Sequence, residues 1–248
     1  NARKMNKKCN VHLKVDTGMH RLGFQYYCDF CDAIMFIKEN PSIVLKGVYT
    51  HFGSQSKKRF NNQFKKFSNF CRNLPANVLK HYANSATSFI STHKNSFMSR
   101  IGISLYGYGK YPNITPALSL YARIISTNFV KKGDFIGYGD KHKAKKDMRV
   151  AILGVGYADG LMRCYHKKGY VLINNKKAKI VADICMNMTI VDITKIPNVK
   201  IGEFAIIIGK SKSHQITAET IAKKCKTISY EVLTNFQNAP CTKKKPVE

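Results

Sequence analysis

No stretch of this sequence is apolar for long enough to cross a membrane, and no opening segment runs from charge through an apolar stretch to small residues as a secretory signal does. Acidic residues are scarce, with 14 Asp and Glu against 42 Lys and Arg, for a formal net charge of +28. That imbalance raises nucleic-acid binding as a class. The lysines, however, come as pairs and triplets spread through the chain, from Lys7-Lys8 to Lys243-Lys244-Lys245, with no helix-turn-helix, zinc-finger or aromatic RNA-binding signature between them. A specific nucleic-acid partner is therefore not expected, only a salt-sensitive affinity for polyanions. Cys28 and Cys31 make the single C-x-x-C, with no second pair and no histidine at ligand spacing, so no metal is expected. Its eight cysteines read as scattered free thiols of a reducing, cytoplasmic compartment.

The chain has 248 residues, 44% of them apolar, enough for one full core or two smaller ones. Its organising stretch is Lys14 to Phe24, where an apolar strand runs into a polar, glycine-punctuated turn bearing Arg21. The spacing predicts a strand over 10–15, a helix from Tyr26 to Lys38 with Tyr27, Phe30, Ile34 and Ile37 on one face, and a break at Pro41. A second strand is expected from Ile43 to Phe52, then a lysine-rich helix with Phe60, Phe64, Phe67 and Cys71 along one face. A third strand, Val78 to Tyr82, runs into Ala83-Asn84-Ser85-Ala86-Thr87, and a fourth starts at Met98 and runs into Arg100-Ile101-Gly102-Ile103. Strands alternating with helices, each closing on polar residues, describe successive βα units of a parallel sheet, and four such units are half a barrel.

Near Pro112 the texture changes. Short strands are expected at Leu118–Ile125, Phe135–Tyr138, Arg149–Val155, Tyr170–Ile173, Ala178–Val181, Thr189–Ile193 and Phe204–Ile208, with a hairpin turn at Asn174-Asn175. One helix, about Ala218 to Lys226, has Thr217 as its cap and Glu219 in its first turn. The fold class is thus α/β plus all-β. Residues 1–114 form the first domain and 115–248 a second, all-β one.

In order along the chain stand Lys14-Val-Asp-Thr-Gly-Met-x-Arg21, Thr50-His51-Phe52, Asn84-Ser85-Ala86, Arg100-x-Gly102-Ile103-x-x-Tyr106-Gly107, Gly137-Tyr138-Gly139, Gly156-Tyr157-Ala158-Asp159-Gly160 and Ile184-Cys185-Met186. In this series the chain resembles the alanine racemases, pyridoxal 5'-phosphate enzymes with an N-terminal (β/α)8 TIM-type barrel and a C-terminal β domain. The resemblance covers essentially the whole chain and places residues 1–114 at barrel strands five to eight. It implies a homodimeric, cytoplasmic isomerase interconverting L- and D-alanine for peptidoglycan of the cell wall.

The resemblance also implies roles. Tyr138 would be the base acting on L-alanine, with His51 and Arg100 in the chain of groups that tunes it, because a phenol of ordinary pKa near ~10 needs neighbouring positive charge to act at neutral pH. Arg100 would hydrogen-bond the cofactor's pyridine nitrogen. A guanidinium keeps its own protons, so that nitrogen stays unprotonated and the cofactor is a weaker electron sink, which suits racemisation over transamination. Ser85, Asn84 and the Gly102-Ile103 backbone would cradle the phosphate, small residues and free N–H groups being what such a cradle needs. Arg21, Met186 and Tyr157 would contact substrate or line its entrance, with Tyr138 and Met186 presented to the other subunit. Lys14 matches a position that carries a carbamate in some members.

The sequence also departs from the pattern. No early lysine stands in a Val-x-Lys-Ala-x-x-Tyr-Gly context, so the lysine that holds the cofactor covalently is expected to be missing together with the first four strands, and this polypeptide alone is expected neither to hold cofactor firmly nor to racemise. Half a barrel would also expose unpaired strand edges. His20 stands where many members have glycine, Ala182-Asp183 replace a Gly-Arg pair, Asn187 replaces an acidic residue and Gln237 a tyrosine, and Asn238-Ala239-Pro240-Cys241 lacks the usual arginines. Two other readings are a broader-specificity amino-acid racemase on the same fold and a non-catalytic fragment or binding module.

Overall fold

The computed structural model describes residues 1–53, 56–90, 98–109, 111 and 113–237, so the Asn238–Cys241 departure and the Pro112 texture change lie outside the described residues. The chain divides into two compact units, Asn1–Thr115 and Pro116–Glu248.

In the first unit β1 (Cys9–Lys14), β2 (Ile43–Tyr49) and β3 (Leu79–His81) form a parallel sheet in that order. Beyond it, β4 (Ala83–Asn84) pairs in parallel with β5 (Ser99–Arg100). Lys14 lies opposite Tyr49, and Tyr49 opposite His81, so the polar ends of these strands emerge side by side. Gly47 permits the close approach of β1 to β2: a Cβ there would lie 2.5 Å from the His12 imidazole.

The helices between the strands are α1 (Tyr27–Glu39), α2 (Lys57–Cys71) and the short α3 (Ser85–Ile90). Their apolar stripes supply the core. Phe30 of α1 meets Phe70 of α2 edge to face with centroids 5.3 Å apart, while Phe64 and Phe67 of α2 pack on Tyr82. Val15, Val48, Phe52, Val78 and Ala83 complete one buried cluster beneath the strand ends. Burial of each large side chain contributes about 1.5–3 kcal/mol. The phenylalanine stripe is thus core packing.

The second unit is a seven-stranded antiparallel sheet built from β6 (Leu120–Val130), β7 (Met148–Leu153), β8 (Tyr170–Ile173), β9 (Lys176–Lys179), β10 (Thr189–Asp192), β11 (Phe204–Lys210) and β12 (Gln215–Ile216). The order is β10-β7-β6-β11-β8-β9, with β12 on β11. A bridge between Ile180 and Val191, and a Val181 N–H bond of 3.0 Å to the Ile190 carbonyl, bring the two edges together, so the sheet nearly closes on itself. Asn174 and Asn175, with φ of 47° and 60°, make the left-handed two-residue turn between β8 and β9. Thr217 caps α4 (Ala218–Cys225), its hydroxyl accepting the Thr220 N–H at 3.1 Å. The helix α5 (Ser229–Asn235) and β12 were not expected from the pattern.

Two expected strands are corrected. Phe135–Tyr138 keeps only a bridge between Phe135 and Lys143, because Gly137, Gly139 and Asp140 take φ of 76°, 72° and 49° and turn the chain into a loop. The strand expected from Met98 shrinks to Ser99–Arg100, after which the chain enters a 3-10 turn at Ile103–Tyr106. Elsewhere bounds move by a few residues: β2 stops at Tyr49, β6 runs on to Val130, and β9 occupies Lys176–Lys179.

Candidate active site

The loop after β1 is shaped by one carboxylate. Asp16 is buried, and its Oδ1 accepts the N–H groups of Gly18, Met19 and His20 at 2.8, 2.9 and 3.1 Å. Burial pushes its carboxyl up, but these three donors outweigh that and hold it below the usual carboxylate value. Gly23, at φ 117°, lets the chain fold back so tightly that a Cβ would lie 2.8 Å from the Lys14 carbonyl and the Asp16 nitrogen. The result is a rigid turn that lifts Arg21, exposed, beside the strand ends. His20 takes φ 55°, which explains why glycine suits that position.

The ends of β2, β3 and β5 build a second group. Arg100 donates from Nη1 to His81 Nδ1 at 2.6 Å and from Nη2 to the Thr50 carbonyl at 2.5 Å. Its guanidinium also lies 5.1 Å from the centroid of the Tyr49 ring, which in turn stacks on His81 at 5.1 Å and 8°. Because Arg100 can only donate, His81 Nδ1 must accept. The His81 proton is therefore on Nε2, which lies 2.8 Å from His12 Nδ1 and donates to it. Burial first, then Arg100 and His12, push His81 down to about 4, so it is neutral at pH 7. His51 is also held below its ordinary value, by burial and by the charges of Arg100, Arg21 and Lys14. Lys14 itself is lowered by burial and Arg21. These four basic groups thus share one electrostatic site, whose field favours an anion or a phenolate.

Asn84 and Thr87 bond reciprocally, Asn84 N–H to Thr87 Oγ1 at 2.9 Å and Thr87 N–H to Asn84 Oδ1 at 3.1 Å, which fixes the entry to α3. Ser85, buried, accepts the Gly102 N–H at 2.9 Å. One residue beyond Ile103, the buried Ser104 hydroxyl has no hydrogen-bond partner. An orphaned hydroxyl beside Gly102-Ile103 and Ser85 fits a phosphate cradle. Ser104 and His81 went unnoticed in the sequence. His81 left a faint trace, being a histidine at the end of a short strand just before the Ala83-Asn84-Ser85 motif.

In the second unit, Tyr138, Tyr157 and Met186 are gathered round one segment, Ala182–Met186. A Cβ on Gly137 would lie 3.0 Å from the Ala182 Cβ, which places the Tyr138 loop against it, and the Tyr138 side chain is 75% exposed at the tip. Tyr157 donates its N–H to the Cys185 carbonyl at 3.0 Å, and Ala158 to Met186 at 2.9 Å. Gly156 sits so close that a Cβ would meet the Met186 carbonyl oxygen at 2.2 Å. The structure thus forms three clusters from the expected residues: Lys14, Arg21, His51 and Arg100; Asn84, Ser85, Gly102 and Ile103; and Tyr138, Tyr157 and Met186.

Parallel βα units ending in a cluster of cationic groups, followed by a nearly closed β unit with an exposed tyrosine, define a class of α/β fold with an appended β domain. Residues 1–110 match the family model of the alanine racemase N-terminal domain, and residues 117–242 that of the alanine racemase C-terminal domain. The chain belongs to the alanine racemase family. It is 35% identical over 246 residues to the alanine racemase of Methylacidiphilum infernorum, covering 96% of this chain and 62% of that relative. The structure of alanine racemase from Clostridium difficile 630 superposes with a TM-score of 0.85 at 33% identity, over 94% of this chain and 63% of that one. That of Bartonella henselae alanine racemase with covalently bound pyridoxal phosphate has a TM-score of 0.82 at 28% identity, over 95% of this chain and 66% of that one. The chain spans less than two thirds of the length of each of these proteins.

Proposed function

We propose that these residues belong to an alanine racemase, with residues 1–114 supplying barrel strands five to eight and 115–248 the β domain, and that the protein interconverts L- and D-alanine with pyridoxal 5'-phosphate. The observation that carries this reading is Arg100, clamped by His81, the Thr50 carbonyl and Tyr49 at the end of β5. A guanidinium has five N–H donors, and these bonds leave some free to meet the ring nitrogen of the cofactor. The likeness to a relative solved with bound pyridoxal phosphate supports the same cofactor here.

When bound, pyridoxal phosphate supplies an electron sink that acidifies the α-C–H of the amino acid. The rest falls to this chain. Ser85, Ser104, Asn84 and the Gly102-Ile103 backbone hold the phosphate. Neutral His81 fixes the plane of Arg100, and Arg100 keeps the ring nitrogen from being protonated. Arg21 binds the substrate carboxylate, aided by Lys14, whose lowered pKa leaves more of the neutral amine that a carbamate requires. Tyr138 takes the α-proton of L-alanine at its Oη, with His51 and Arg100 setting its charge. Tyr157 and Met186 line the approach. Tyr138 and Met186 act in the partner subunit of a homodimer, in a cytoplasmic enzyme that provides D-alanine for peptidoglycan.

Protein expressed from its complete reading frame, given pyridoxal phosphate and L-alanine, is expected to produce D-alanine, read out by a D-amino-acid oxidase assay. Faster turnover of larger amino acids would favour the broader-specificity reading, and no turnover of any amino acid would favour the non-catalytic one.

A further inference from the structure

Asp183, one of the departures from the family pattern, is met by two histidines far away in the sequence. His142 Nε2 lies 2.9 Å and His166 Nδ1 3.0 Å from the same oxygen, Asp183 Oδ1. The two rings meet edge to face with centroids 5.7 Å apart. All three ligand atoms lie within 4.8 Å of one another. Arg163 Nη2 stands 3.5 Å from the other oxygen, Oδ2, leaving Oδ1 to the histidines. We propose that His142, His166 and Asp183 form a site for a divalent transition-metal ion of the Zn²⁺ or Co²⁺ kind.

The dimensions fit. Tetrahedral bonds of about 2.0–2.1 Å place neighbouring ligand atoms about 3.3 Å apart, a few tenths of an ångström from the two nitrogen–oxygen separations observed. Two imidazoles with one carboxylate select borderline first-row ions, since Mg²⁺ and Ca²⁺ want all-oxygen shells. The backbone is firm at two of the three ligands, Asp183 and His166. Ala182 and Ile184 beside Asp183 are buried, and Tyr165 beside His166 is buried with its hydroxyl donating to the Tyr170 carbonyl at 2.9 Å. The ligand side chains themselves stay 18–27% exposed, so an ion can reach them. Arg163, Lys141 and Lys167 act on these groups as well and weaken the site for a cation. Its affinity should therefore fall below that of a four-ligand structural zinc site.

The site has a structural consequence. The loop that carries Tyr138 is closed at its base by the Ile136 N–H bond of 2.8 Å to the His142 carbonyl. An ion on the His142 side chain would pin that loop to Asp183 and to the turn bearing His166.

The test is a titration of chelator-stripped protein with Co²⁺, followed by Zn²⁺ competition. One Co²⁺ per chain is expected, with ligand-field absorption of nitrogen and oxygen ligation and no thiolate charge-transfer band. His142→Ala, His166→Asn and Asp183→Asn should each weaken binding roughly 10- to 100-fold or more, while His214→Ala should leave it unchanged. His166→Asn keeps a side-chain N–H for Asp183, so loss of Co²⁺ with an unchanged unfolding transition identifies a ligand and not a prop. Absence of binding at millimolar Co²⁺, binding that survives all three substitutions, or a thiolate band would each overturn the proposal.

Discussion

Arg100 can only donate, and from that single fact the protonation of the strand-end cluster follows: His81 accepts at Nδ1, donates at Nε2 to His12, and stays neutral. A histidine whose folded pKa falls from an ordinary value near ~6.5 to about 4 binds fewer protons than the unfolded chain throughout that interval. Stability from this group is therefore complete above about pH 6.5 and is lost as pH falls towards 4. His51, lowered by burial and the neighbouring cations, adds in the same direction. Urea unfolding between pH 8 and 4 should show this loss, of order 2–3 kcal/mol for His81 before screening. His81→Gln should flatten the slope, and an unchanged slope would argue against a buried neutral histidine. At this scale the sequence was only partly legible. Arg100, Ser85 and Arg21 stood in motifs, whereas His81 acquires its role from a strand neighbour and a cation that pairing in the sheet brings to it.

The elements show the same division. Helices α1 and α2 could be read from their stripes because a helix face repeats every three or four residues whatever it packs against. The cap at Thr217 could be read because it depends on a bond to its own third neighbour. The strand expected at Phe135–Tyr138 failed because left-handed residues at 137, 139 and 140 broke the pairing that apolar alternation suggested. The phenylalanine stripe of α2 carries the prediction at this scale. Phe67 is 2% exposed against Tyr82, so Phe67→Ala should cost about 3–5 kcal/mol, measured as a shift in the denaturant midpoint. A change below about 1 kcal/mol would place that face outside the core.

At the scale of the molecule, two units of different architecture each gather their own group of candidate residues. The parallel unit holds the cationic cluster and the Asn84, Ser85, Gly102 and Ile103 group proposed to hold phosphate. The antiparallel unit holds the tyrosines, the methionine and the His142–His166–Asp183 group. Among the described residues the single arginine or lysine within 4.0 Å of a carboxylate is Arg163 on Asp183, so the surplus of positive charge is left largely unpaired. The fold class and the family were legible because seven short motifs lie in order along the chain. The metal-type cluster was not, since its three members share no spacing and are brought together only by the fold. The central claim is that Tyr138 is the base for one enantiomer, and it is tested most directly by running Tyr138→Phe in D₂O with each enantiomer separately. With the protein from its complete reading frame, α-hydrogen exchange of L-alanine should fall by about 10²–10⁴-fold while exchange of D-alanine persists. Unchanged exchange of L-alanine in that variant would contradict the account.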